Sequence, residues 1–279
     1  MRLRSGFALA AWLAAAACRP ELRRDDPVER PPVAAQADTT VPAGPLGDAI
    51  RRGRALVTAT RESLPANVGN RLRCVSCHLD GGRRAQGSWV GVYGRFPQYR
   101  SRSGTVELIE DRVNDCFRRS LNGKGIAADG PDMRDIVTYL AFLSRGVPAA
   151  APRPAAPSVF AALTADTGAG AVVFGSQCSS CHGPTGDGTL AAPPVWGPSS
   201  FNIGAGMARR LTAAAFVRAN MPFATPGTLT DQQALDVAAY LTSRPRPDFP
   251  DKQYDWPNGG APPDAAYRTE GRPIPPGRR

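Results

Sequence analysis

The chain has 279 residues, 42% of them hydrophobic, with 34 Lys and Arg against 24 Asp and Glu and a formal net charge of +10. That length makes two compact domains the natural expectation, and the apolar share is enough for packed cores. Two histidines and two lysines in the whole chain exclude sites built from several imidazoles or amines. The arginine excess attracts anions, whether small substrates, acidic redox partners or phospholipid headgroups, and no nucleic-acid partner is expected.

The chain opens with Arg2 and Arg4 and a short apolar run from Phe7 to Ala17 that ends in four alanines before Cys18. We read residues 1–17 as an export signal, too short to span a bilayer. Cys18 has the place of a lipidated cysteine at a bacterial lipoprotein cleavage site, the other reading being a plain secretory signal. Both place the protein in the periplasm, with a lipid anchor in the first case. Residues 18–45 are rich in Pro, Ala and charge without a periodic face, as a disordered tether would be.

A helix begins near Leu46, with Ile50, Leu56 and Val57 on one stripe, and leads into Cys74-Val75-Ser76-Cys77-His78. The same spacing returns as Cys178-Ser179-Ser180-Cys181-His182, so both histidines of the chain lie in these motifs. In C-x-x-C-H two thiols capture the haem vinyl groups and the histidine reaches the iron. Zinc knuckles lie roughly 12 to 20 residues apart, whereas 101 positions separate Cys77 from Cys178. A redox dithiol needs a βαβ context that neither motif has. The motifs therefore predict two covalently attached haem c groups.

Downstream of His78, Gly81-Gly82 permits a tight turn, and the segment from Trp89 to Arg102 reads as an aromatic loop. Helices are expected over Val106 to Leu121 and over Met133 to Ser144, where Gly146 and Pro148 stop the second. An Ala/Pro linker follows over residues 148–157. Helices then span about Ala169 to Gln177, Leu211 to Ala219 and Asp231 to Ser243, repeating the plan, and Tyr139-Leu140 recurs as Tyr240-Leu241. The predicted fold is all-α: two tandem class I-type cytochrome c domains, 46–147 and 158–247, an internal duplication. Residues 248–279 form a Pro/Gly-rich tail that wraps the surface or stays mobile, with Tyr254 and Trp256 hinting at docking.

With no histidine left over, bis-His ligation is excluded. Met221 lies 39 positions past His182, and Cys116 lies 38 past His78. The duplicated spacing puts Met221 on the second iron and Cys116 on the first; Met207 and Met133 are the respective alternatives. Thioether ligation raises the potential and thiolate ligation lowers it. Arg112, Cys116 and Ser120 share a helix face at i, i+4 spacing, and Arg suits multidentate binding of oxyanions. Arg118 and Arg119 read as a solvated basic face.

Three segments, Tyr99 to Thr105, Arg112 to Gly123 and Phe201 to Pro222, resemble the dihaem thiosulfate dehydrogenases, the tetrathionate-forming cytochromes c. The resemblance implies that Cys116 ligates a catalytic haem, that Arg102, Arg112 and Ser120 line the substrate site, and that Met221 ligates the second haem. Some members carry Lys before that Met as an alternative ligand; Asn220 stands here. The activity implied is joining of two thiosulfates to tetrathionate, with electrons leaving for an external acceptor such as a small cytochrome c or a high-potential iron-sulfur protein. A non-enzymatic dihaem carrier, an oxidase subunit and a SoxA-like cytochrome are the other readings.

Overall fold

The structure is a computed structural model that describes residues 40–84, 86–148 and 158–269. The expected export signal with Cys18, nearly all of the tether, residues 149–157 of the expected linker and the end of the tail lie outside them. All described residues fall in one compact unit, and none of their helices is long and apolar enough to cross a membrane.

Six helices of eleven or more residues dominate the described residues: α1 (Pro45–Thr58), α2 (Ile109–Arg119), α3 (Pro131–Phe142), α4 (Thr167–Gln177), α5 (Arg210–Asn220) and α6 (Asp231–Ser243). Their ends follow from local chemistry. Pro45 and Pro131 take first-turn positions where a missing N–H costs nothing, and Asp166 caps α4 by accepting from the amides of Gly168 and Ala169. Thr230 and Gln233 close a reciprocal capping box on α6.

The halves are built alike. In the first, α1 packs on α3, and a Cβ added at Gly53 would run into the carbonyl oxygen of Asp135; in the second, α4 packs on α6, and a Cβ at Gly170 would meet the carbonyl oxygen of Asp236. A tyrosine follows each crossing, Tyr139 and Tyr240, and a tryptophan stands edge-on to it, Trp89 and Trp196. Each tryptophan also occupies the space that a side chain at Gly82 or Gly186, four residues past the motif histidine, would fill. Both glycines have positive φ, so the turn under each motif needs glycine for conformation as well as for space.

Each half has its own core, around Ile50, Ile136 and Tyr139 in the first and around Phe174, Leu235 and Val237 in the second. A third cluster is shared: Leu64, Leu72, Phe117 and Leu121 pack with Phe201, Ala205 and Ala208. Two buried amides stitch this seam. Asn70 Nδ2 donates to the carbonyls of Ser120 (2.9 Å) and Ser200 (3.1 Å). Asn202 donates from its side chain to the Arg118 carbonyl (2.9 Å) and from its backbone to the Arg119 carbonyl (3.2 Å).

One feature differs from the sequence reading. The expected loop and the start of the expected helix hold a short antiparallel hairpin, β1 (Gln98–Arg100) and β2 (Thr105–Glu107), with Tyr99 opposite Val106. Leu108 then begins α2 by donating its amide to Asp111 (2.8 Å), which delays the helix to Ile109. The tail docks as far as it is described: Phe249, Asp255 and Trp256 are buried.

Candidate functional site

The first motif starts in a 3-10 turn over Cys74–Ser76, anchored by the Cys74 amide on the Thr60 hydroxyl (3.1 Å). His78 follows, with its amide on the Cys74 carbonyl (3.0 Å). Its Nδ1 lies 2.5 Å from the Gly87 carbonyl oxygen, and Nδ1 of His182 lies 2.7 Å from that of Pro193. A carbonyl only accepts, so Nδ1 carries the proton in both rings and Nε2 becomes the nitrogen for iron. Trp89 stacks on His78 at 4.4 Å. Burial lowers the His182 pKa, against the Pro193 contact that raises it, which keeps the ring in its ligating neutral form. Burial pushes the Cys74 and Cys77 thiols up to about 12, which disfavours the thiolate that a zinc site requires. These residues fit covalent haem at both motifs.

Cys116 sits on the motif-facing side of α2, within electrostatic reach of both Cys74 and Cys77. The helix is fixed from behind by buried Phe117 and by Asn114, which donates to the Ile126 carbonyl (3.0 Å) and accepts from its amide (2.8 Å). Arg112 Nη1 donates to the Cys116 sulfur at 3.2 Å. The sulfur is the largest influence raising the Arg112 pKa, ahead of the opposing effect of burial. Ser120 caps the helix one turn on, with its amide on the Cys116 carbonyl (2.8 Å).

The hairpin brings in a further cation. Arg100 on β1 stands 3.7 Å from Glu107 on β2 and lies within electrostatic reach of Arg112 and Cys116. Arg102 reaches the second half: its Nη1 donates to the Gly204 carbonyl (2.5 Å), and burial lowers its pKa to about 10. Arg119 is not part of a solvated face. It is 9% exposed, makes two hydrogen bonds to Asp255 (2.7 and 2.8 Å) and reaches Asp115 at 3.4 Å. Asp115 and Arg119 pair at i, i+4 spacing on α2, and the burial of Arg119 depends on the docked tail. Arg209 lies close enough to act on Arg102, with its buried Nε lacking a hydrogen-bond partner. Five guanidinium groups (Arg100, Arg102, Arg112, Arg119, Arg209) and three carboxylates (Glu107, Asp115, Asp255) are thus linked in one cluster, which leaves two positive charges unbalanced within it. Sequence reasoning missed Glu107, Arg209, Asp255 and Tyr267; only the aromatic residues of the tail carried a signal.

In the second half Met221 caps α5 through its amide on the Val217 carbonyl (2.9 Å), and both Met221 and Met207 pack half-buried against the core that Cys178 also touches. Met133 is 1% exposed at the start of α3 and belongs to the core of the first half.

Residues 66–149 match the profile of the SoxA/TsdA cytochrome c domain, and residues 165–241 that of cytochrome c oxidase, cbb3-type, subunit III. Two cytochrome c domains therefore follow one another, each with one covalently attached haem c. Thiosulfate dehydrogenase of Psychrobacter arcticus is 41% identical, over 84% of this chain and 75% of its own. That of Allochromatium vinosum is 42% identical, over 79% of this chain and 88% of its own. Among solved structures, the TsdBA thiosulfate dehydrogenase of Marichromatium purpuratum superposes with a TM-score of 0.71 at 33% identity, over 82% of this chain. This chain spans about half the length of that one, 53%.

Proposed function

Because the chain belongs to the thiosulfate dehydrogenase family of c-type cytochromes, we propose that it oxidises two thiosulfates to tetrathionate at Cys116 and passes the electrons through its second half to an external acceptor. Residues 46–147 are the catalytic half and 158–247 the relay. The observation that carries this reading is the Arg112 contact to the Cys116 sulfur, set in a cluster with two surplus positive charges.

The difficulty of the reaction is electrostatic. Two dianions about 6 Å apart repel by on the order of 10 kcal/mol at an effective dielectric of about 20. Arg112 and Arg100 flank the sulfur and offset that repulsion, and Arg102 and Ser120 complete the oxyanion contacts. In our reading Cys116 would hold the first iron, and Arg112 donates to its sulfur. The Cys116 sulfur then bonds to the sulfane sulfur of one thiosulfate, giving Cys–S–S–SO3 with loss of two electrons. A second thiosulfate attacks that sulfane sulfur, the tetrathionate S–S bond forms, and the Cys116 thiolate leaves. The haems supply one-electron acceptance at each iron, so the pair takes both electrons. Met221 would hold the second iron. Tetrathionate reduction runs through the same site in reverse. Export to the periplasm suits both covalent haem attachment and a cytochrome c or high-potential iron-sulfur acceptor.

The test is addition of thiosulfate to the oxidised holoprotein while its visible spectrum is followed. Reduction of the haem bands is expected in the wild type and near-complete loss of it in Cys116→Gly, which keeps both haems because attachment depends on Cys74, Cys77, Cys178 and Cys181. A wild type that thiosulfate never reduces is a carrier, and the reading fails.

A further inference from the structure

The docked tail reaches Arg102 from three directions. The Trp256 amide donates to the Arg102 carbonyl at 2.7 Å, the Trp256 ring lies under its guanidinium at 4.7 Å, and Asp255 stands 3.8 Å from its Nε. That last distance is attraction without a hydrogen bond, and the reason is visible around the carboxylate. One Asp255 oxygen accepts from Arg119 Nη2, and the other accepts from Arg119 Nη1 and from the Tyr267 hydroxyl. The Asp255 oxygen nearer Arg102 thereby has both its lone pairs taken. It lowers the cost of burying Arg102 without capturing it.

The guanidinium has five N–H donors, and Gly204 takes one. The ring beneath fixes the plane of the group but accepts no conventional hydrogen bond from its edge. Arg102 is therefore oriented and desolvated, with donors still available to an oxyanion.

We propose that Trp256, Asp255 and Tyr267 are positioning residues that hold Arg102 as a poised anion receptor, Tyr267 by keeping Asp255 from taking Arg102's hydrogen bonds. The proposal rests on Arg102 binding substrate, and it makes the tail part of the catalytic unit. Residues 248–269 would then set the affinity for thiosulfate although they lie outside both haem domains.

The experiment compares thiosulfate steady-state kinetics of the holoenzyme with Trp256→Leu, Tyr267→Phe and Arg102→Gln, singly and in pairs. Trp256→Leu and Tyr267→Phe should each raise KM about tenfold, with kcat and the haem spectra near wild type, and neither should add to Arg102→Gln. Trp256→Phe, which keeps an aromatic face, should restore much of the affinity. Should Trp256→Leu lose haem or fold poorly, Tyr267→Phe decides alone, since it removes only a hydroxyl. An unchanged KM in the tail variants, or effects that add to those of Arg102→Gln, overturns the positioning role while leaving the proposed reaction intact. A wild-type KM in Arg102→Gln removes Arg102 from the substrate site and defeats this inference with it.

Discussion

Replacing Arg112 by Gln separates a receptor for sulfur anions from a merely basic helix. The substitution removes one charge-assisted hydrogen bond, the 3.2 Å contact to the Cys116 sulfur, and one of the two surplus positive charges. A charge-assisted contact to a buried group is worth about 1.5 to 3 kcal/mol, which corresponds to a loss of about ten- to a hundredfold in kcat/KM. The lost Coulomb attraction to a dianion about 5 Å away is of the same sign, so the upper end of that range is the expectation. Initial rates of thiosulfate-dependent acceptor reduction give kcat and KM, and the spectrum shows that both haems are in place. Arg112→Lys should recover part of the loss, because an ammonium keeps the charge but not the fork. A Gln variant with wild-type kcat/KM would refute the assignment of Arg112 to the substrate anion.

Two further outcomes are expected. Met221→Ala should abolish the long-wavelength band of methionine-to-ferric-haem charge transfer, and Met207→Ala should retain it; the reverse pattern makes Met207 the ligand, a live alternative because both pack against the same core. Gly170→Ala gains about 1 kcal/mol of helix propensity but drives a methyl group into the Asp236 carbonyl, an overpacking cost of about 1 to 3 kcal/mol. Backbone cannot yield as a side-chain tip would, so denaturant unfolding of the holoprotein should show net destabilisation, and an unchanged or raised midpoint would contradict the close crossing.

Much of this was legible in the sequence because it is local. C-x-x-C-H fixes attachment chemistry within five residues, and α6 runs over Asp231–Ser243 as its periodicity and capping residues indicate. The glycine crossings were not read, although they mark the duplication as clearly as the tyrosines. Gly53 lies 25 residues before His78 but Gly170 only 12 before His182. The extra stretch in the first half is the one that carries Leu64, Asn70 and Leu72 to the shared seam. The hairpin escaped because each strand is three residues long, too short for alternation to show. Arg119 was misread because its partner Asp255 is 136 residues away, and a salt bridge at that separation leaves no trace in spacing. Arg112 and Cys116 were readable for the opposite reason: one helical turn brings them together whatever the rest of the chain does.

The seam bears on how electrons cross the molecule. Asn70 and Asn202 tie the last turn of α2, the helix that carries Cys116, to residues 200–202 of the other half, and Asn202 is 1% exposed. A dihaem protein whose domains swing on a linker must wait for a favourable encounter before each transfer. Here the two attachment motifs keep a constant separation set by buried amides, so no conformational search precedes the transfer. Its rate then depends on distance, driving force and reorganisation energy, and a more viscous solvent should slow the arrival of substrate and acceptor while leaving the internal step untouched.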